Sequence, residues 1–308
     1  MTVNDLASVV IRTYYRNRLL RRAIESTLEQ TYDKIEVIVV DDSGVAHAKE
    51  VVAEYDDVRY IAHNENKGPI EPWHTGYAEA RGEYIQLLDD DDWIEPKKIE
   101  KQIKKLDSED CGVVFCNIYE TDADKVVKPN YNVSEEFQRS LLSFESYPCQ
   151  TTSMLIRSDA LDNVLPLKAY SGGADIVLQI ELNSQTKFCH LDSVLVNRPT
   201  AGETLGSSPE AYKAHLQILE DYEYLYKSYS SEFKNKVIAS RWEKLGRSYL
   251  RESYWTHLAV FAFANAFYSY PGFSFYYFQL LLASLFGRVG LHFGGILKGA
   301  GRLFKLLS

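Results

Sequence analysis

Short β-branched runs alternate with segments of helical period through the first hundred residues, the pattern of strands wound with helices about a sheet. SVVIRTY (8–14) reads as a first strand, and Leu19, Leu20, Ala23, Ile24 and Leu28 then recur at helical spacing. IEVIVV (35–40) is a second strand, whose unbroken apolar character suits burial on both faces. A helix near 46–54 follows, then VRYIA (58–62), a loop containing Gly, Pro and Asn, a helix near 73–80, and YIQLL (84–88) as a fourth strand. Pro96 opens PKKIEKQIKKL, where Ile99, Ile103 and Leu106 form a narrow apolar stripe on a basic helix. GVVFCNIY (112–119) is a further strand. From about 120 to 200 the alternation loosens, leaving TTSMLIR (151–157) and KFCHLDSVLV (187–196) as strands around a helix starting near Ala174. Beyond residue 209 the pattern is helical. The expectation is an α/β fold with a mostly parallel sheet over 1–208, followed by a helical region over 209–308.

Charge divides the chain further on, after Glu252. The net charge of −9 argues against a general nucleic-acid binder, because phosphate backbones are held by basic faces. No acidic residue follows Glu252, whereas Arg288, Lys298, Arg302 and Lys305 are basic. Setting those four aside from the 34 cations leaves residues 1–252 with thirty basic against forty-three acidic residues, a net of −13. In the last segment WTHLAVFAFANAFYSY and FSFYYFQLLLASLF are apolar and aromatic, the second shorter than the roughly 20 residues of a spanning helix. Such helices, flanked by cations, suit the interface of a membrane, and RVGLHFGGILKGAGRLFKLLS (288–308) continues the theme. Packing against the rest of the chain, a dimer interface and a re-entrant hairpin are the alternatives. MTVNDLASVV lacks the pattern of a signal peptide, so the body is expected at the cytoplasmic face of a membrane. Cys111, Cys116, Cys149 and Cys189 have neither zinc spacing nor the density of a disulfide framework, and read as reduced, mostly buried thiols.

Chemistry gathers where strands end. Ligands of open α/β sheets sit beyond the carboxyl ends of the strands, and here those ends carry Thr13-Tyr14, Asp41-Asp42-Ser43-Gly44 and Asp89 to Asp92. An aspartate pair after a strand ordinarily marks a turn or helix cap, but two clusters on one predicted edge ask for more. Neighbouring carboxylates about 4 Å apart repel by roughly 4 kcal/mol at an effective dielectric of about 20, so LLDDDDWIEP (87–96) calls for a compensating charge. No G-x-G-x-x-G turn follows the first strand, where RTYYRNR stands instead, and no P-loop is present. A divalent cation, Mg²⁺ or Mn²⁺, bridging carboxylates to a diphosphate is the remaining route.

The segments SVVIRTYYRNRLLRRAIESTLEQTYDKIEVIVVDDS, NKGPIEPWHTGYAEARGEYIQLLDDDDWIEP and GGADIVLQIEL resemble, in order and spacing, the family 2 glycosyltransferases with a GT-A fold, over roughly residues 6–200. The resemblance implies that Asp42 accepts a hydrogen bond from a nucleotide base, with Thr13 and Tyr14 lining the same pocket and Lys67 in the donor-binding loop. It implies a metal site in which Asp91 leads, Asp89 serves the ribose or a metal-bound water, and Asp92 is the second ligand, leaving Asp90 as a solvated bystander. Asp175, after Gly172-Gly173-Ala174, matches the general base, although a helix N-cap would place an aspartate there too. Arg198, in an Asn197-Arg198 pair, is assigned to the donor diphosphate, with a surface salt bridge as the alternative.

The chain departs from the family pattern at Pro72-Trp73-His74-Thr75-Gly76, which replaces an Ala-Arg-Asn-x-Gly stretch, and at Ala174, where a glutamate often precedes the base. His74 has no second histidine at ligand spacing and is read as a packing or sugar-contacting side chain. The implied activity is inverting, metal-dependent transfer from a nucleotide-sugar donor, UDP-linked as is most frequent in the family. Its expected acceptor is a hydroxyl or phosphate of a lipid-linked glycan at a membrane surface, in surface or N-linked glycan assembly. A non-catalytic scaffold and a sugar nucleotidyltransferase are the competing readings.

Overall fold

A computed structural model describes residues 2–200 and 205–291. The elements begin with β1 (Val3–Thr13), α1 (Asn17–Leu28), β2 (Ile35–Asp41), α2 (Lys49–Val52), β3 (Val58–Ala62), α3 (Glu71–Glu79) and β4 (Gly82–Asp89). Next come β5 (Trp93–Ile94), α4 (Lys98–Ser108), β6 (Val113–Glu120), β7 (Lys125–Val127), α5 (Val133–Leu142), β8 (Met154–Arg157), α6 (Ser158–Asp162), α7 (Ala174–Gln185) and β9 (Phe188–Arg198). The helices α8 (Pro209–Asp221), α9 (Ser231–Glu252), α10 (His257–Ser269) and α11 (Phe275–Ser284) complete the described chain.

One sheet runs in the order β3-β2-β1-β4-β8-β6-β9-β5, with β7 on β6. Its β3-β2-β1-β4 half is parallel throughout, as the alternation of strands and helices requires. The other half is mixed: β8 runs antiparallel to both β4 and β6, while β6 and β9 are parallel. Ala7, Val9, Val10 and Ile11 are fully buried, which explains the continuous apolar runs of the central strands. Gly76 lets α3 lie close on β1, since a Cβ there would come 2.2 Å from Val10 Cγ1.

Several elements differ from the sequence expectation. TTSMLIR begins as a 3₁₀ turn (Thr151–Ser153) and only Met154–Arg157 is strand. The helix α5 forms inside the stretch where alternation loosens, capped by Asn132, whose side chain accepts from the Ser134 N–H. The basic helix α4 buries Ile99, Ile103 and Leu106 as expected, yet Lys98 is also fully buried. Its ammonium donates to Gln86 Oε1 and, at 2.6 Å, to Gln102 Oε1, while burial lowers its pKa to about 8. Gln102 in turn donates to the carbonyls of Val114 and Ser153, so a polar knot joins α4 to the sheet.

The chain divides into two compact units, one of Met1–Ala169 with Ala174–Gly202 and one of Tyr170–Gly173 with Glu203–Ser308. In the second, α9 packs on α8 and α10, and α10 on α11. Ala239, Leu250, Ala259, Phe263, Ala266, Tyr277 and Leu280 make its core. Phe261, Tyr268, Phe273, Phe275 and Phe286 remain exposed. Among the described residues no helix is long and apolar enough to cross a membrane. Most of the basic tail, residues 292–308, lies outside the described residues. All four cysteines are free thiols, Cys189 half-buried and the others buried.

Candidate active site

Parallel pairing of β1 with β4 sets Arg12 directly beside Asp89. Arg12 Nε lies 2.6 Å from Asp89 Oδ1, and its guanidinium stacks on the Trp73 ring with 4.1 Å to the centroid. Burial works to raise the Asp89 carboxyl, but Arg12, then Arg198, outweigh it and hold the group below the usual carboxylate range. One residue on, Asp90 is buried and accepts from Thr13 Oγ1 at 2.7 Å and Arg16 Nη1 at 3.1 Å. It is therefore no solvated bystander: the chain turns Asp90 inward where β4 ends. Burial lifts its pKa to about 6, against the opposing pull of Thr13 and Arg16.

Asp91 faces outward, its side chain 40% exposed, with Arg16 Nη1 at 2.9 Å from Oδ2. Its carbonyl accepts from Arg22, which stacks 3.7 Å over Trp93. The two-residue strand β5 pairs antiparallel with β9, Trp93 opposite Asn197, and this brings Asp92 against Arg198. Arg198 holds both oxygens of the buried Asp92, at 2.7 Å from Nη2 and 3.0 Å from Nε. Arg198, assigned from the resemblance to a diphosphate, is thus committed to a carboxylate clamp in this structure, and reaches Asp89 Oδ2 only at 3.9 Å. Arginines supply much of the charge compensation that the aspartate run demands.

The second cluster is held differently. Asp41 accepts from the backbone N–H of Ser43 (2.9 Å) and of Ala48 (2.7 Å) and from the Tyr60 hydroxyl (2.7 Å). Asp42, the expected base-binding residue, is buried and accepts from the N–H groups of Lys67 and Gly68, both at 2.9 Å. His63 Nδ1 also lies 2.6 Å from Asp42 Oδ1. Asp42 thereby shapes the 66–68 turn, where the Lys67 side chain is exposed and its backbone makes the contact. Tyr14 is half exposed, whereas Thr13 points inward to Asp90. His74 accepts from the Leu167 N–H through Nε2 at 3.0 Å, a packing role.

Asp175 stands in the first turn of α7 and is partly exposed. Burial raises its carboxyl pKa, the Ile176 N–H and Arg198 pull it down, and the charge of Asp89 raises it further. Those couplings bring Asp175 to the same electrostatic neighbourhood as Asp89 and Arg198, although its sequence lies more than eighty positions beyond Asp92. Asp89, Asp91 and Asp92 each offer a carboxylate oxygen, all within 4.8 Å of one another. That all-oxygen donor set fits Mg²⁺ or Mn²⁺. Asp91 is the most available of the three, because Arg198 occupies both oxygens of Asp92.

The sequence profile of Glycosyl transferase family 2 matches residues 8–165, more than half of the chain. The chain belongs to that family. Glycosyltransferase GlyG of Streptococcus pneumoniae serotype 4 is 33% identical over 124 residues, covering 39% of this chain and 41% of the relative, so the chain aligns with less than half of that protein's length. Among solved structures, S. aureus TarS 1–349 in complex with UDP-GlcNAc superposes with a TM-score of 0.65 at 16% identity, over 86% of this chain and 82% of that one. The mannosyltransferase PcManGT from Pyrobaculum calidifontis, in complex with GDP-Man and Mn²⁺, gives 0.57 at 16% identity, over 84% and 74%. At such identity both likenesses concern the fold, which is of the GT-A type.

Within this family 2 glycosyltransferase domain, the site residues that sequence reasoning passed over are two cations, Arg12 and Arg16. Arg12 and Arg16 belong to the RTYYRNR stretch that stood out only for lacking glycine. The signal was present: a run of arginines at the carboxyl end of β1 complements a run of aspartates at the carboxyl end of β4, and parallel neighbours share that edge.

Proposed function

We propose that this glycosyltransferase moves a sugar from a UDP-type nucleotide donor to a hydroxyl of a lipid-linked glycan acceptor, with inversion and with a divalent metal, at a membrane surface. The observation that carries the chemistry is Asp175: a partly exposed carboxyl of raised pKa, coupled to Asp89 and Arg198 at the rim. A raised pKa makes a carboxylate a stronger proton acceptor, which is what a general base for a hydroxyl needs. Asp175 takes the proton of the acceptor hydroxyl as that oxygen bonds to the anomeric carbon, while the bond from that carbon to the diphosphate breaks on the opposite face. Tyr14 and the Asp42-braced 66–68 turn line the nucleotide end, while Thr13, turned inward, holds Asp90 behind them. Asp91, with Asp89 and Asp92, would hold Mn²⁺ or Mg²⁺, which when bound supplies positive charge for the departing diphosphate. The donors seen with TarS and PcManGT support the nucleotide-sugar part of the reading, and the Mn²⁺ of PcManGT supports the metal.

Incubation with a nucleotide-sugar panel, Mn²⁺ and a short polyprenyl-phosphate-linked acceptor tests the proposal. Asp175→Asn is expected to lower kcat by about 10²–10⁴-fold with donor binding retained. Undiminished transfer by that variant would remove the base, and transfer that survives EDTA and Asp91→Ala would remove the metal.

Support for the membrane reading comes from exposed aromatics on and around α10 and α11, with Phe273 and Phe286 each 73% exposed, and from the acid-free, cationic sequence after Glu252. The full chain is expected to float with anionic vesicles. Phe273→Glu with Phe286→Glu should leave it largely in solution, and equal flotation of that variant would defeat the docking surface.

A further inference from the structure

Two thiols and a carboxylate converge at the opposite end of β9 from the aspartate rim. Glu109 ends α4, and the Cys111 N–H donates to its carbonyl at 2.9 Å, folding the short link to β6 back on itself. Gly112 then runs so close to Thr186 that a Cβ would sit 2.6 Å from its Oγ1. In the next steps of the ladder Val113 pairs with Phe188 and Val114 with Cys189. Through this approach Cys111 Sγ, Cys189 Sγ and a Glu109 oxygen all come within 4.8 Å of one another. Cys189 is the second residue of β9 and Arg198 the last, so about 30 Å of strand separates this cluster from the carboxylate rim.

We propose that Cys111, Cys189 and Glu109 form a binding site for a thiophilic divalent cation of the Zn²⁺ class, distinct from the Mn²⁺ or Mg²⁺ site of the transfer reaction. Metal–ligand lengths of 2.0–2.3 Å in tetrahedral geometry put ligand atoms about 3.3–3.8 Å apart, so small side-chain rotations close the present spacing. Two soft sulfurs select against Mg²⁺ and Mn²⁺ and favour Zn²⁺ or Cd²⁺. Binding replaces the two thiol protons, which pass to the buffer, by one cation.

The surroundings fit an open, three-ligand site. Lys105 donates to Glu109 Oε1, steadying the carboxylate and leaving its second oxygen for the metal. Glu109 and Cys189 also line a groove of about 540 Å³ with Lys105, Lys128, His190 and Asp192. A fourth ligand would come from solvent in that groove, onto which Glu109 and Cys189 open. His190, whose Nε2 lies 2.7 Å from Asn117 Oδ1, lines the groove but is not among the three side chains that converge. The remaining thiols, Cys116 and Cys149, are buried elsewhere and complete no such triad among the described residues. A bound cation would pin the end of α4 to β6 and β9.

The test uses the full chain, reduced and stripped of metal, titrated with Cd²⁺ and followed by the ultraviolet thiolate-to-metal charge-transfer band. One equivalent of Cd²⁺ is expected to saturate the band, and Mn²⁺ to produce none. Cys111→Ser and Cys189→Ser should each abolish it, and Glu109→Gln should weaken binding by about tenfold, one ligand lost. Mn²⁺ binding at the aspartate rim, measured on the same variants, reports that they are folded. Should the serine variants fail to fold, Zn²⁺ protection of Cys111 and Cys189 from alkylation in the unmodified chain, read by peptide mass spectrometry, serves instead. Absence of the band, its persistence in both serine variants, equal alkylation with and without Zn²⁺, or a Cys111–Cys189 disulfide as the sole response overturns the proposal.

Discussion

The two aspartate clusters end neighbouring regions of one sheet, and they are stabilised by opposite means. Asp41 and Asp42 are satisfied by fixed donors: four backbone N–H groups, the Tyr60 hydroxyl and the His63 ring. Such donors cannot leave without unfolding the loop that carries them, so this pair builds the rim. Asp89 to Asp92 are instead compensated by Arg12, Arg16 and Arg198, at the ends of long side chains. Charge of that kind can be exchanged for another cation. The first cluster is architecture for a ligand, and the second is built to trade partners.

Removing a carboxylate from each cluster gives the largest effect. Asp92→Ala leaves Arg198 without the partner that holds it in two places, and Asp41→Ala leaves two buried N–H groups and a hydroxyl unpaired. Each is expected to cost about 3 kcal/mol in urea denaturation. Only Asp92→Ala should also weaken Mn²⁺ binding. Comparable loss of Mn²⁺ affinity in both variants would break the distinction between the clusters.

Smaller and pH-dependent is the effect of Asp90. Its pKa of about 6, raised first by burial, exceeds the roughly 3.9 of an unfolded aspartate, so the folded state binds the extra proton between those values. Stability contributed by this group is therefore present at low pH and lost as pH rises through about 6. In metal-free buffer, the stability of Asp90→Asn relative to the unmodified chain should rise by about 1 kcal/mol between pH 5 and pH 7. A difference that stays flat with pH would show that Asp90 is solvated after all.

The smallest effect belongs to Arg16, whose side chain is 45% exposed and whose pair with Asp91 is screened accordingly. As a competitor for the metal position, its removal in Arg16→Ala should tighten Mn²⁺ binding by about two- to fivefold, the equivalent of up to about 1 kcal/mol. Weaker Mn²⁺ binding in a calorimetric titration would mean that Arg16 supports the site rather than occupying it.

Much of the parallel half was legible because burial on both faces leaves a local mark, a continuous β-branched run, and each run's end announces the rim. Asp42, Asp89, Asp91 and Asp175 could be named from such ends and from the family resemblance. Residues 120–152 were not legible: β7 is a three-residue strand hairpinned onto β6, and α5 is a short helix whose face packs on the remote α7 and β9, so no long period builds up.

The sequence by itself determined where strands and helices alternate, which segments end in carboxylates, and that acidic and cationic apolar regions divide the chain. Tertiary structure decided the partners. Arg12 meets Asp89 across 77 residues and Arg198 meets Asp92 across 106, each through a strand register that the sequence does not encode locally. Cys111 and Cys189 likewise converge only because β6 and β9 lie side by side in parallel. Hydrophobic periodicity is written over a few residues, whereas the pairing of charges and ligands depends on which strand becomes a neighbour, and only the packed sheet settles that.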